Sequence, residues 1–211
     1  MREHPLLMKG PLVRATLEGR KTQTRRPVKT ESLPDPGFVW AECLCREIDP
    51  SDTPCPTCSE RFPGIPEAGD RLWVRETWQH FQNVGQRAAD FPEYQRFPAN
   101  CFYRADESNP RTKPLSGKWR PSLLMPRWAC RLVLPLVSVR VERVQDITEE
   151  DARAEGLRRT ENGWTDGTTG YDVTSARAAF QELWASIYGQ ASWDVNPWIW
   201  VAEWKEIEVS R

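Results

Sequence analysis

Two cysteine pairs carry the most specific chemical signal in the sequence. Cys43-Leu44-Cys45 and Cys55-Pro56-Thr57-Cys58 are separated by nine residues of a Pro-rich stretch. Four thiolates in two close pairs suit tetrahedral zinc, whose structural sites are closed and rich in sulfur. The Cys-Pro-Thr-Cys half is a regular knuckle, while Cys-Leu-Cys is one residue tighter than usual. A four-cysteine site leaves no open position, so its zinc would be structural. Cys101 and Cys130 sit in strand-like apolar surroundings and read as core residues.

A second set of residues interleaves cations with tryptophans. Arg75 and Glu76 lie between Trp73 and Trp78, and Lys118, Trp119, Arg120, Ser122, Arg127 and Trp128 form another cluster. Arginine offers a fork of donors to phosphate or carboxylate, tryptophan a face to a base, and glutamate an acceptor for an exocyclic amine. This pattern predicts that Glu76, Arg120 and Arg127 line one cavity with Lys21 and Thr24. The competing reading places Trp73, Trp119 and Trp128 in the core, with the arginines snorkelling over them. The basic run Arg20 to Arg26 has a plain reading too, as a solvated strand edge that discourages pairing. Only two histidines are present, His4 and His80. The sequence has no His-Glu-x-x-His helix, Gly-x-Ser-x-Gly elbow or phosphate-cradling glycine loop. His80 is expected at the surface.

These groups need a scaffold, and the composition describes one. With 211 residues the chain can bury one sizeable core. Lys plus Arg number 29 against 30 Asp plus Glu, so no global basic field draws in long nucleic acid and any such contact must be a local patch. Eleven tryptophans are more than a core of this size requires, which leaves rings for a stacking pocket. The N-terminus lacks a signal-peptide pattern, and no stretch approaches the roughly 20 apolar residues of a membrane span. A cytoplasmic location is therefore expected, where thiols stay reduced.

Pro11 to Gly19 reads as a short helix with proline at its start and glycine at its stop. Arg20 to Val28 reads as extended, followed by a Pro-broken loop up to Gly69. Gly69-Asp70 is a turn and Arg71 to Trp78 a strand. His80 to Ala99 is aperiodic and reads as a loop, and Cys101 to Arg104 as a short strand. Arg131 to Val144 is β-branched, with a break expected at Pro135. Thr148 to Asp151 has the form of a capping box opening a helix that ends near Gly156. Glu161 to Gly170 reads as a loop, Ser175 to Tyr188 as an amphipathic helix, and Trp198 to Trp204 as the closing strand. Separate strands with helices between them predict a mixed α+β fold.

Leu17-Glu18-Gly19-Arg20-Lys21-Thr22-Gln23-Thr24-Arg25-Arg26 resembles the opening motif of ASCH-domain proteins, in which a helix ends at glycine and a basic, threonine-bearing strand follows. Gly69 to Glu76 is similar to the family's Gly-Asp turn and strand, Asp151 to Gly156 to its acidic helix, and Trp198 to Trp204 to its last strand. Lys118 to Ser122 and Met125 to Trp128 are similar to ASCH proteins common in phage and prophage genomes. The resemblance implies a PUA-like mixed β-barrel with short helices between its strands. It implies a single domain over 1–211 carrying a Cys/Pro-rich insertion at 38–66 and a loop insertion at 80–98.

Some small ASCH proteins are amidohydrolases that remove the acetyl group of N4-acetylcytidine with a lysine, a threonine three residues later and a glutamate on a later helix. Those roles would fall on Lys21, Thr24 and Glu155. A threonine hydroxyl becomes a nucleophile when a base removes its proton, and a desolvated, cation-crowded lysine can be neutral enough to do so. Arg20, Arg25 and Arg26 are close enough in sequence to crowd it. In a straight strand Lys21 and Thr24 would face opposite ways, so Lys21 must lie in a turn or beside a bulge. Arg25, Arg26, Trp73, Arg75, Glu76, Trp119, Arg120, Ser122 and Arg127 would bind the substrate. Replacement of any of the three catalytic residues by alanine is expected to abolish turnover with little loss of stability. The resemblance also leaves open a non-catalytic RNA- or nucleotide-binding module and an ASCH-type ribonuclease.

Protein purified under reducing conditions without chelator should carry about one zinc per chain on Cys43, Cys45, Cys55 and Cys58. Elemental analysis finding no metal would count against the site. Stripping the metal should leave the remainder of the chain folded.

Overall fold

The computed structural model describes residues 1–28, 65–80, 98–106, 119–167 and 172–209. Cys43, Cys45, Cys55, Cys58 and Lys118, and most of the 38–66 and 80–98 segments, lie outside these ranges. The described chain is mixed α+β. Its strands are β1 (Glu3–Leu7), β2 (Gln23–Pro27), β3 (Arg71–Arg75), β4 (Trp78–His80), β5 (Cys101–Tyr103), β6 (Leu132–Pro135), β7 (Ser138–Arg143), β8 (Arg158–Arg159), β9 (Trp164–Thr165), β10 (Trp198–Glu203) and β11 (Glu208–Val209). The helices are α1 (Gly10–Leu17), α2 (Glu149–Ala154), α3 (Ala176–Tyr188) and α4 (Ala191–Asp194).

One sheet has the order β1-β3-β6-β11 and a second the order β2-β10-β7, with β4-β5 and β8-β9 as two-stranded pairs. β1 runs parallel to β3, and the other pairings are antiparallel. Among the described residues the strands form open sheets, with no closed hydrogen-bonded ring. The chain passes between the two larger sheets four times, from β1 to β2, β2 to β3, β6 to β7 and β10 to β11. The passage from β6 to β7 falls at Pro135, which lacks the N–H needed to extend a ladder. Directly after it the Leu136 amide donates to Asp70 O (2.8 Å), and the Val137 amide to Glu203 O (2.8 Å) in the other sheet.

The sequence pattern accounts for much of this. Proline sits in the first turn of α1, and Thr148 and Asp151 form a reciprocal capping box at the start of α2. Ser175 caps α3 by accepting from the Ala178 amide. Three readings need correction, and one strand has no counterpart in the sequence pattern. The N-terminal residues form β1, which pairs with a strand 68 positions away, so no local pattern marks it. Asp70 holds this register by accepting from the Arg2 amide and from His4. The strand expected over Arg71 to Trp78 is two, interrupted at Glu76 and Thr77. His80 belongs to β4, is 1% exposed and meets Trp128 edge-on, because the backbone around it pairs with β5. The expected loop after Glu161 contains β9, whose partner is only two residues long.

The main core packs Leu12 and Val13 of α1 and Phe180, Leu183 and Trp184 of α3 against Leu72, Leu134, Ile199 and Val201. Each such side chain contributes roughly 1.5–3 kcal/mol by leaving water. A smaller cluster gathers Trp78, Tyr103, Met125, Ala129, Cys130 and Val133. Cys130 is buried as expected, and Cys101 is half-buried. No described helix is long and apolar enough to cross a membrane.

Gly156 ends α2 with φ at +95°, where side chains are strained, and a Cβ there would sit 2.8 Å from both Ala15 Cβ and Lys21 Cβ. Strain and overlap each cost about 1–3 kcal/mol. Gly156→Ala should therefore lose about 2–4 kcal/mol of stability, read as a lowered urea midpoint. An unchanged midpoint would show that the contact between α1, Lys21 and α2 is loose.

Candidate functional site

Lys21 lies in the turn after α1, outside the strand that carries Thr24, and its ammonium bonds Gln23 O and Glu155 rather than the Thr24 hydroxyl. Lys21 precedes β2 and pairs with Glu155 as an isolated antiparallel bridge. The Arg20 and Lys21 amides both donate to Ala15 O, and the Thr22 amide donates to Ala154 O, which ties the turn to α1 and to the end of α2. From Gln23 onward regular alternation sends Gln23 and Arg25 to one face and Thr24 and Arg26 to the other.

Lys21 is 1% exposed and Glu155 is 3% exposed. The Lys21 ammonium donates to Glu155 Oε2 (2.6 Å), Glu155 O (3.0 Å) and Gln23 O (2.8 Å), so all three of its N–H groups have acceptors. The Gln23 carbonyl belongs to the peptide that leads into Thr24, itself buried. Burial pushes the Lys21 pKa below its ordinary value, the Arg26 and Arg25 charges push the same way, and Glu155 opposes them. Arg20 instead grips Glu18 and Gly156 O.

Arg25 continues the network. Its Nη1 meets Glu155 Oε1 at 3.1 Å, Nε and Nη2 donate to Glu142 Oε1 (3.1 and 2.9 Å), and Nη2 lies 3.3 Å from Asp151 Oδ2. Its guanidinium sits over the Phe180 ring. Beyond it, Arg140 pairs with Glu142, Asp151 and Glu203. Lys21, Arg25 and Arg140 thus face four carboxylates, Glu155, Glu142, Asp151 and Glu203, across the Gln23 face of the second sheet. Gln23 donates from Nε2 to Asp151 O (2.6 Å), fixing α2 above the strand. A buried lysine and glutamate 2.6 Å apart can share one proton, and transfer would leave a neutral amine able to act as a base.

The second predicted cluster lies elsewhere. Glu76 is 1% exposed, and both its oxygens accept from Arg131 (2.9 and 3.1 Å), so its charge is matched within the protein. Burial raises its pKa against the pull of Arg131. Arg131 also grips Asp106 and lies 4.0 Å from the Tyr103 ring centroid. It stood in the predicted strand, but nothing in the sequence singled it out. Arg127 makes a two-bond pair with Glu3, and Arg127 and Arg75 both flank the half-buried Trp73. Arg75 also donates to Leu123 O. Arg120 forms a backbone bridge with Trp78 and lies over its ring, and Trp119 beside it is half-buried. These arginines therefore lie over tryptophan rings, Trp73 and Trp78.

A cavity of about 790 Å³ opens between β1 and β2, the facing edges of the two larger sheets. Of the predicted ligand residues it takes in Arg26 and Ser122. Lys21, Thr24, Glu155, Glu76, Arg120 and Arg127 are not among the described residues that line it. The shared pocket expected from the sequence is not the arrangement of this cavity. No protein-family model, curated protein or solved structure matches the chain.

The burial of Lys21 and Glu155 revises the stability expected of their variants. Removing one member strands the other's charge, so Lys21→Met should cost about 3–5 kcal/mol in urea unfolding. Lys21→Met with Glu155→Gln should cost clearly less than the two single losses added together. Strict additivity would mean that the pair is not formed in solution.

Proposed function

We propose that the protein is a hydrolase of an acyl-modified pyrimidine nucleoside, an N4-acetylcytidine-like amide, on a PUA-like barrel of the ASCH kind. One observation carries the reading. Lys21 and Glu155 were singled out by motif resemblance alone, and these residues, 134 positions apart, meet at 2.6 Å in a buried pair. Taking both charges out of water is costly, and a lowered lysine pKa of the kind burial gives Lys21 clusters at reactive sites.

In the proposed reaction Lys21 passes its proton to Glu155 and, as a neutral amine, accepts the Thr24 hydroxyl proton. The Thr24 oxygen attacks the acyl carbonyl carbon, the carbon–nitrogen bond breaks, and the departing amine of the base takes a proton from the Lys21–Glu155 pair. Water then hydrolyses the threonine ester, releasing a carboxylate and restoring the hydroxyl. Arg25 cannot lose its proton, so it holds Glu155 in place throughout. A structural reading draws on a specific fact as well: all three Lys21 donors are engaged, as in a closed ion-pair network. The protein would then be a nucleotide- or RNA-binding module.

A panel of N4-acylated cytidines, followed by mass spectrometry, separates the two. Turnover should appear, be restored by Thr24→Ser and fall at least about 100-fold in Thr24→Val, the scale of losing a nucleophile. The rate should rise with pH through a group below the usual lysine value of about 10.4, because burial and Arg26 lower Lys21. Full activity in a folded Thr24→Val protein would overturn the mechanism.

A further inference from the structure

The cavity between β1 and β2 differs in chemistry from the charge network on the other face of β2. No carboxylate lines it among the described residues, whereas Arg26 and Lys9 both do. Arg26 donates to two main-chain oxygens, Arg25 O at 3.2 Å and Leu7 O at 2.8 Å, and among the described residues pairs with no acid. Carbonyls hold its plane but do not neutralise it, and three of its five N–H groups remain uncommitted. Among the described residues Lys9 reaches only the Ser186 hydroxyl, at 3.3 Å. Elsewhere Arg127 has Glu3, Arg71 has Glu208, and Arg131 has Glu76 and Asp106. The positive charge at this seam is therefore available to a ligand.

The rest of the cavity favours a flat organic body. Trp200 is the register partner of Arg26 on the neighbouring strand, so the ring and the guanidinium stem from one face, their Cβ atoms about 4.5–5.5 Å apart. Tyr188, at the end of α3, adds a second ring, and Ser122 and Thr77 add hydroxyls. The volume of about 790 Å³ lies within the range of small-molecule sites.

The geometry points to this seam as a binding site for a nucleoside monophosphate, its phosphate on Arg26 and Lys9 and its base against Trp200 and Tyr188. The choice of a pyrimidine rests on the hydrolase reading; the anion and the ring do not. Phosphate suits a forked guanidinium held in plane, and an aromatic face accepts any base.

Isothermal titration of the full chain with cytidine 5′-monophosphate, cytidine, inorganic phosphate and decanoate tests it. The monophosphate should bind at least about 10-fold tighter than cytidine or phosphate alone, the scale of one charge-assisted hydrogen bond. Arg26→Gln should remove about 10-fold, and the exposed Lys9→Gln, which cannot disturb packing, should remove a measurable part. Equal affinity for cytidine and its monophosphate, phosphate binding as well as the nucleotide, or preference for decanoate would each overturn the assignment. So would undiminished binding in both variants. Cytidine monophosphate has no acyl bond, so binding is read apart from turnover. Hydrolysis without nucleotide preference would sink this site alone, and nucleotide binding without hydrolysis would sink only the proposed reaction.

Discussion

A lysine and a glutamate taken out of water must find each other, and the local structure is arranged around that requirement. Leaving either charge alone in the interior would cost several kcal/mol. The turn after α1, the C-terminus of α2 and the first peptide of β2 all contribute acceptors or contacts to Lys21. Gly156 removes the Cβ that would hold α2 away from that turn. Arg25 then shares Glu155, so the pair is anchored to the sheet as well as to the helix. Each of these features has a reason once the two charges are buried.

The alternation of β2 divides the strand's polar residues between two environments. Gln23 and Arg25 face α2 and its carboxylates, while Thr24 and Arg26 lie on the opposite face. One strand thereby supplies a neutralised network on one side and, among the described residues, a cation without an acidic partner on the other. The cavity occupies the gap between the free edges of β1 and β2, and Arg26 spans it by bonding Leu7 O. That bond also covers exposed edge groups that would otherwise invite strand pairing.

Much of the fold was legible where the signal is local. The capping box at Thr148, the proline start of α1, the break at Pro135 and the spacing of α3 each act through neighbours in sequence. β1 was not legible, because its existence depends on parallel pairing with β3 across 68 positions. The site divides in the same manner. Lys21 and Glu155 could be named from motif resemblance, and they do meet. Glu76 was read as a ligand acceptor because Arg131 is 55 residues away, and no local pattern shows that its two oxygens are already taken. The pairing of Arg127 with Glu3 is equally invisible in the sequence, the two being 124 residues apart.

The network places a lysine and an arginine on opposite sides of one glutamate, and the two cations are not equivalent. Arginine keeps its charge at any accessible pH, so Arg25 can only hold Glu155 and repel a second positive charge. Lysine can release its proton, and burial, reinforced by Arg26 and Arg25, favours that release. Two lysines here would compete for the same proton, and two arginines would give a rigid pair with nothing to titrate. A purely structural network has no need of the distinction, since forked guanidiniums satisfy buried carboxylates better than ammonium groups do. Lys21 is therefore the cation of this buried network whose charge can change, and the proton transfer proposed above would use it.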